Sequence, residues 1–127
     1  MASIAQALSE LGITEWVLRG EPTTEAEFNE MFRKVTGADA NGSAIESSNP
    51  ADFGTTWSAV KAMVDELTAA EPMKALRAER DRRLAETDWW AVADRTMTAE
   101  QTAYRQALRD ITETATSLDD VTWPVKP

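Results

Sequence analysis

The spacing of apolar residues predicts a mostly α protein. A small N-terminal α(+β) lobe occupies residues 1–55, and a helical region occupies residues 56–127. Three observations carry this. Apolar residues recur at steps of three and four through most of the chain. Thr24, Thr56 and Thr98 each stand at the head of such a run, where a hydroxyl can accept from a free backbone N–H. Residues 13–20 mix β-branched and aromatic residues and close on Gly20, and residues 38–55 are rich in Ala, Asn, Gly, Ser and Asp. The helical region reads as a long, proline-interrupted helix followed by a C-terminal helical hairpin with an extended tail.

Ser3 to Leu11 places Ile4, Leu8 and Leu11 on one helical face and stops at Gly12. Ile13 to Gly20 reads as a short strand, and Glu21-Pro22-Thr23-Thr24 as a turn. Thr24 with Glu27 has the form of a reciprocal capping box. The helix behind it is predicted to carry Phe28, Met31, Phe32 and Val35 on one face and to end at Gly37. Asn41-Gly42 and Asn49-Pro50 mark turns, and Ser43–Ser47 between them is predicted to pair with residues 15–19. Such a two-stranded piece needs a helix beneath it.

From Thr56 the stripe is Trp57, Val60, Val64, Leu67 and Glu71. Pro72 lacks an N–H and crowds the preceding turn, so it either starts a new helix or kinks the old one. The continuation is Met73, Leu76, Arg80 and Leu84, with Arg80 the odd member, and the pattern fades at Thr87-Asp88-Trp89-Trp90. Thr98 and Gln101 form a second capping box. The last helix then places Tyr104, Ala107, Leu108, Ile111, Ala115 and Leu118 on one face. Trp123-Pro124 and Lys126-Pro127 keep the tail extended.

Composition narrows the function. With 43% hydrophobic residues there is enough apolar material for a core, yet no uncharged apolar stretch is long enough for a bilayer. The first residues have neither a basic segment nor an apolar run, so they do not read as a signal peptide. Without cysteine there is no thiol chemistry, and without histidine no imidazole base or ligand. Carboxylate-only chemistry stays formally open, but acids on helices are usually a solvated face, and the expectation is a protein without enzymatic activity, cofactor, metal site or small-molecule substrate. The net charge is −9. Residues 1–71 hold 12 acids against 4 bases and residues 72–127 hold 10 against 9. Lys74, Arg77, Arg80, Arg82 and Arg83 are interrupted by Glu79 and Asp81, so they form a mixed-charge face rather than a phosphate-binding patch. No nucleic-acid partner is expected.

Four motifs follow in order: Arg77-Ala78-Glu79-Arg80-Asp81-Arg82-Arg83-Leu84, Thr87-Asp88-Trp89, Tyr104-Arg105-Gln106-Ala107-Leu108-Arg109-Asp110, and Trp123-Pro124-Val125-Lys126-Pro127. Over about residues 74–127 this string resembles the phage tail assembly chaperone family, of the kind encoded beside tail-fibre genes. The family pattern often has a proline soon after the Arg-Asp step. Here Thr112 follows Ile111, so the last helix is expected to run a turn or two further. Residues 1–70, notably Glu15 to Pro22, resemble N-terminal extensions in some marine and cyanobacterial phage versions. The resemblance implies a protein that binds a tail-fibre polypeptide in the host cytoplasm during assembly and assists its folding and trimerisation. A homo-oligomer or a fixed virion subunit in the tail remains an alternative, as does an acidic inhibitor of a host protein.

The expected partner contacts are Trp89, Trp90, Tyr104, Arg105, Arg109 and Trp123. Tryptophan joins a large apolar surface to one N–H donor, and arginine offers a planar fork for carboxylates and carbonyls. Each has a competing internal role. Trp89 and Trp123 can close the open end of the hairpin, and Arg105 and Arg109 can bind Asp81, Asp88 or Asp110 and hold two helices in register.

Overall fold

The computed structural model describes residues Met1–Pro127. About half of the residues are helical, in four α-helices with one long member, and a small three-stranded antiparallel sheet completes the regular structure. The chain divides into two compact units, Met1–Ala69 and Ala70–Pro127. No helix is long and apolar enough to cross a membrane.

In the first unit α1 spans Ile4–Glu10. Ser3 Oγ accepts from the Gln6 N–H, and the Gln6 side chain accepts from the Ser3 N–H, which satisfies two end groups reciprocally. Strand β1 (Trp16–Leu18) precedes α2 (Glu25–Met31), and β2 (Phe32–Ala38) and β3 (Ala44–Ser47) follow. Helix α3 spans Trp57–Thr87 and contributes residues to both units. The core of the first unit joins Ala7 and Leu8 of α1, Phe28 of α2, Phe32 of β2, Phe53, and Val60 and Val64 of α3. Four aromatic rings interlock there. Phe32 lies 4.9 Å from Phe28 and 4.7 Å from Phe53, and Phe28 lies 5.6 Å from Trp57, centroid to centroid.

Three expectations for this unit are corrected. The helix predicted to reach Gly37 ends at Met31, and Phe32–Ala38 is a strand. Helical and extended spacing both bring Phe28 and Phe32 inward, so the apolar pattern alone did not separate them. Pairing on both sides of β2, with Val35 and Thr36 β-branched, decided for the strand. Ser43–Ser47 therefore pairs with β2 and not with residues 15–19, because β2 occupies the middle of the order β1-β2-β3. The register sets Leu18 opposite Phe32 and Glu46 opposite Val35, with an irregularity between Val35 and Gly37. Only half of the Thr24 box forms. Thr24 Oγ1 accepts from the Glu27 N–H, while the Glu27 carboxylate accepts from Thr23 rather than Thr24.

The second unit holds the rest of α3, a 3-10 turn at Asp88–Ala91, helix α4 (Ala99–Arg109), a second 3-10 turn at Ile111–Glu113, and the tail. Thr56 caps α3 through the Ala59 N–H. The helix continues through Pro72, where no N–H exists to bond the Thr68 carbonyl. The Thr98–Gln101 box closes in both directions. Helix α4 stops at Arg109 and does not run on to Leu118. The β-branched Thr112, Thr114 and Thr116 favour helix poorly. The Asp120 carboxylate accepts from the Thr116 and Ser117 N–H groups, which draws the chain into a turn and holds the Asp120 carboxyl below its ordinary range. Ile111 and Ala115 stay buried, whereas Leu118 is 49% exposed.

Candidate protein-binding site

The end of α3 places Trp89 and Trp90 in a 3-10 turn, where successive side chains diverge by about 120°. One ring therefore goes inward and the next goes out. Trp90 is 3% exposed and packs against Tyr104 and Leu108 of α4, with Leu84, Met97 and Trp123 around them. Trp89 is 55% exposed. Its ring meets Trp90 edge-on at 6.2 Å, and the Arg95 guanidinium lies 4.5 Å from its centroid. That arrangement fixes an aromatic face outside the core, at low conformational freedom.

Arg105 ties the turn to α4. Its guanidinium donates to the Leu84 carbonyl at 2.9 Å, to Thr87 Oγ1 at 2.8 Å and to Asp88 Oδ1 at 2.9 Å. Leu84 and Thr87 belong to the last turn of α3, where the Leu84 carbonyl also accepts from the Thr87 hydroxyl at 3.3 Å, and a buried cation there faces the negative end of the helix. Thr87 is fully buried and Arg105 is 7% exposed, whereas the Asp88 side chain remains open to water. Arg105 Nε has no partner within the unit. The tail crosses the same helix: the Arg83 guanidinium lies 4.2 Å from the Trp123 centroid, and Lys126 Nζ meets Glu86 Oε1 at 3.1 Å. The hydrogen bond and charge of Lys126 hold the Glu86 carboxyl below its ordinary value.

The predicted contact residues thus separate. Trp90, Tyr104 and Trp123 come together in one cluster, with Trp123 half-buried. Arg105 is clasped by the end of α3. Trp89 and Arg109 face solvent, and Arg109 meets only Gln106 Oε1, at 3.5 Å. Arg105 and Arg109 are one turn apart, yet only the former lies under the packing face. Of the three carboxylates considered as internal partners, Asp88 is the one that binds Arg105. The sequence reading missed Arg83, Arg95, Thr87 and Lys126. A cation four residues before Thr87, or six after Trp89, carries no periodic signal that announces a ring across space. No group of three or more carboxylates is placed to hold a metal ion.

One titration is marked. Glu79 accepts from Arg82 Nη2 at 2.7 Å and Arg83 Nε at 3.0 Å. Chiefly through the Arg82 hydrogen bond, its carboxyl is lowered from 4.5 to about 2. A carboxyl depressed in the folded state stabilises it above its unfolded value and ceases to do so as pH falls through the folded one. Stability is therefore expected to decline between about pH 4.5 and 2. Urea midpoints across that window should fall less steeply for Glu79→Gln than for the native chain.

No curated protein and no solved structure matches the chain. The aromatic cluster, its Arg105 clasp and the tail lie within a segment, residues 73–127, that matches the phage tail assembly chaperone protein family.

Proposed function

We propose that this chain is a tail-fibre assembly chaperone, acting in the host cytoplasm by binding an incompletely folded fibre polypeptide and releasing it once the trimer closes. The family match supports a tail assembly chaperone role, and such a role is non-enzymatic. The observation that carries the reading is Trp89, a half-exposed indole held in place by Trp90 and Arg95 rather than left mobile. Fibre trimers depend on β pairing between distant segments, which forms slowly and leaves apolar strands open meanwhile. A rigid indole, with exposed Val92 three residues further along the chain, suits transient cover of such strands. Trp90, Tyr104 and Arg105 act from beneath by fixing the turn, and Arg109 and Trp123 add polar and aromatic contact at its flanks.

The test is co-expression of the phage's own tail-fibre gene with and without this chain. Trimeric fibre yield should drop in its absence, and an unchanged yield refutes the reading. Trp89→Ala should cost about 1 kcal/mol or less in stability. It should nonetheless weaken fibre capture about thirtyfold, the effect of losing an anchor of ~2 kcal/mol. A second reading has support of its own: Met1–Ala69 folds as a unit outside the matched segment, which suits a subunit retained in the tail. Mass spectrometry of purified particles separates the two, since a departing chaperone is missing from them.

A further inference from the structure

A shallow groove of about 350 Å³ opens where the tail passes the end of α4. Ala107, Ile111, Trp123 and Pro124 give it an apolar lining, and the exposed Asp110 and Glu113 line it as well. Both acids lie at or beyond the C-terminal end of α4, the negative end of the helix dipole. Negative side chains at that end oppose the helix dipole, and neither is neutralised: Asp110 accepts only from the neutral Gln106 amide at 3.0 Å, and Glu113 forms no ion pair. The one basic residue of the last turn, Arg109, reaches Gln106 and no carboxylate.

We infer that this groove takes one lysine or arginine side chain from an extended segment of the bound protein. An apolar lining that also carries two carboxylates matches a long cationic side chain, whose methylenes lie on the apolar surface while its head stays with the polar groups. The space suits one or two side chains and is far too small for a helix. The negative end of α4 together with two unpaired carboxylates selects positive charge. This rests on the chaperone reading and deepens it by adding a charge requirement, so the bound segment carries a basic residue beside apolar ones.

The experiment is an NMR titration of the full-length chain with three capped pentapeptides that share flanking leucines and differ at the centre: lysine, norleucine or glutamate. The lysine peptide should shift the amides of Ile111, Thr114 and Thr122 and the Trp123 indole. Norleucine should bind at least tenfold more weakly, and glutamate should produce no shift there. In D110N/E113Q the lysine peptide should lose at least tenfold in affinity, while Glu10→Gln, an exposed position in the first unit, leaves it unchanged. Raising NaCl from 50 to 500 mM should weaken the lysine peptide alone. Equal binding of the norleucine peptide, or lysine-peptide shifts confined to other residues, overturns the inference. The titration uses no fibre protein, so its failure leaves the fibre-yield result standing, and a failed fibre experiment leaves the groove standing.

Discussion

Phe32→Ala is expected to destabilise the first unit by about 3–5 kcal/mol, the range for deleting a fully buried aromatic side chain. Phe32 has no exposed surface and stands where α2 turns directly into β2. Its ring contacts Phe28 and Phe53 and stacks on Trp16 of β1 at 6.2 Å. Truncation opens a cavity between helix and sheet and removes the anchor opposite Leu18 that fixes the β1–β2 register. Urea unfolding followed by hydrogen exchange of the β1 and β2 amides measures this. Phe32→Leu should lose less, because it keeps much of the volume. If the alanine variant unfolds at the native urea concentration, the core assignment is wrong.

Arg105→Ala is expected to cost about 2–3 kcal/mol in the second unit, because it strips partners from groups that water cannot readily reach. The buried Thr87 oxygen loses its donor, the Leu84 carbonyl keeps only the Thr87 hydroxyl at 3.3 Å, and Asp88 loses its cation. Trp89 and Trp90 follow immediately in the chain, so the indole NMR signals of both should broaden or shift. Arg105→Lys should recover little, since an ammonium cannot reproduce a planar fork aimed at three oxygens. The two tryptophan signals distinguish this outcome from simple loss of packing. Leu108→Ala should lower stability comparably through a cavity in the same cluster, but leave the hydrogen-bonded turn and the Trp89 signal near their native positions. Fibre capture should fall with Arg105→Ala even under conditions where the variant stays folded.

At two of the helix starts, where the determinant is local, the sequence settled the structure. Helix starts at Thr56 and Thr98 need only a hydroxyl three residues before a free N–H, and both formed as read. The stripes at Val60–Val64 and Tyr104–Leu108 are buried as their spacing requires. The absence of imidazole and thiol, and the ordered motifs of the C-terminal segment, are likewise properties of the chain as written. Tertiary structure alone decided the rest. The fate of Phe32–Ala38 depended on having strands on both sides of it, a pairing with no signature inside the segment. Which of two adjacent tryptophans would be buried depended on the turn at Asp88–Ala91. Whether Arg105 would face a partner or the neighbouring helix depended on the Leu84 carbonyl and the Thr87 hydroxyl at the end of α3, 21 and 18 residues earlier. Helical period and cap chemistry act between neighbours in sequence, while strand pairing and the satisfaction of buried polar groups act between neighbours in space.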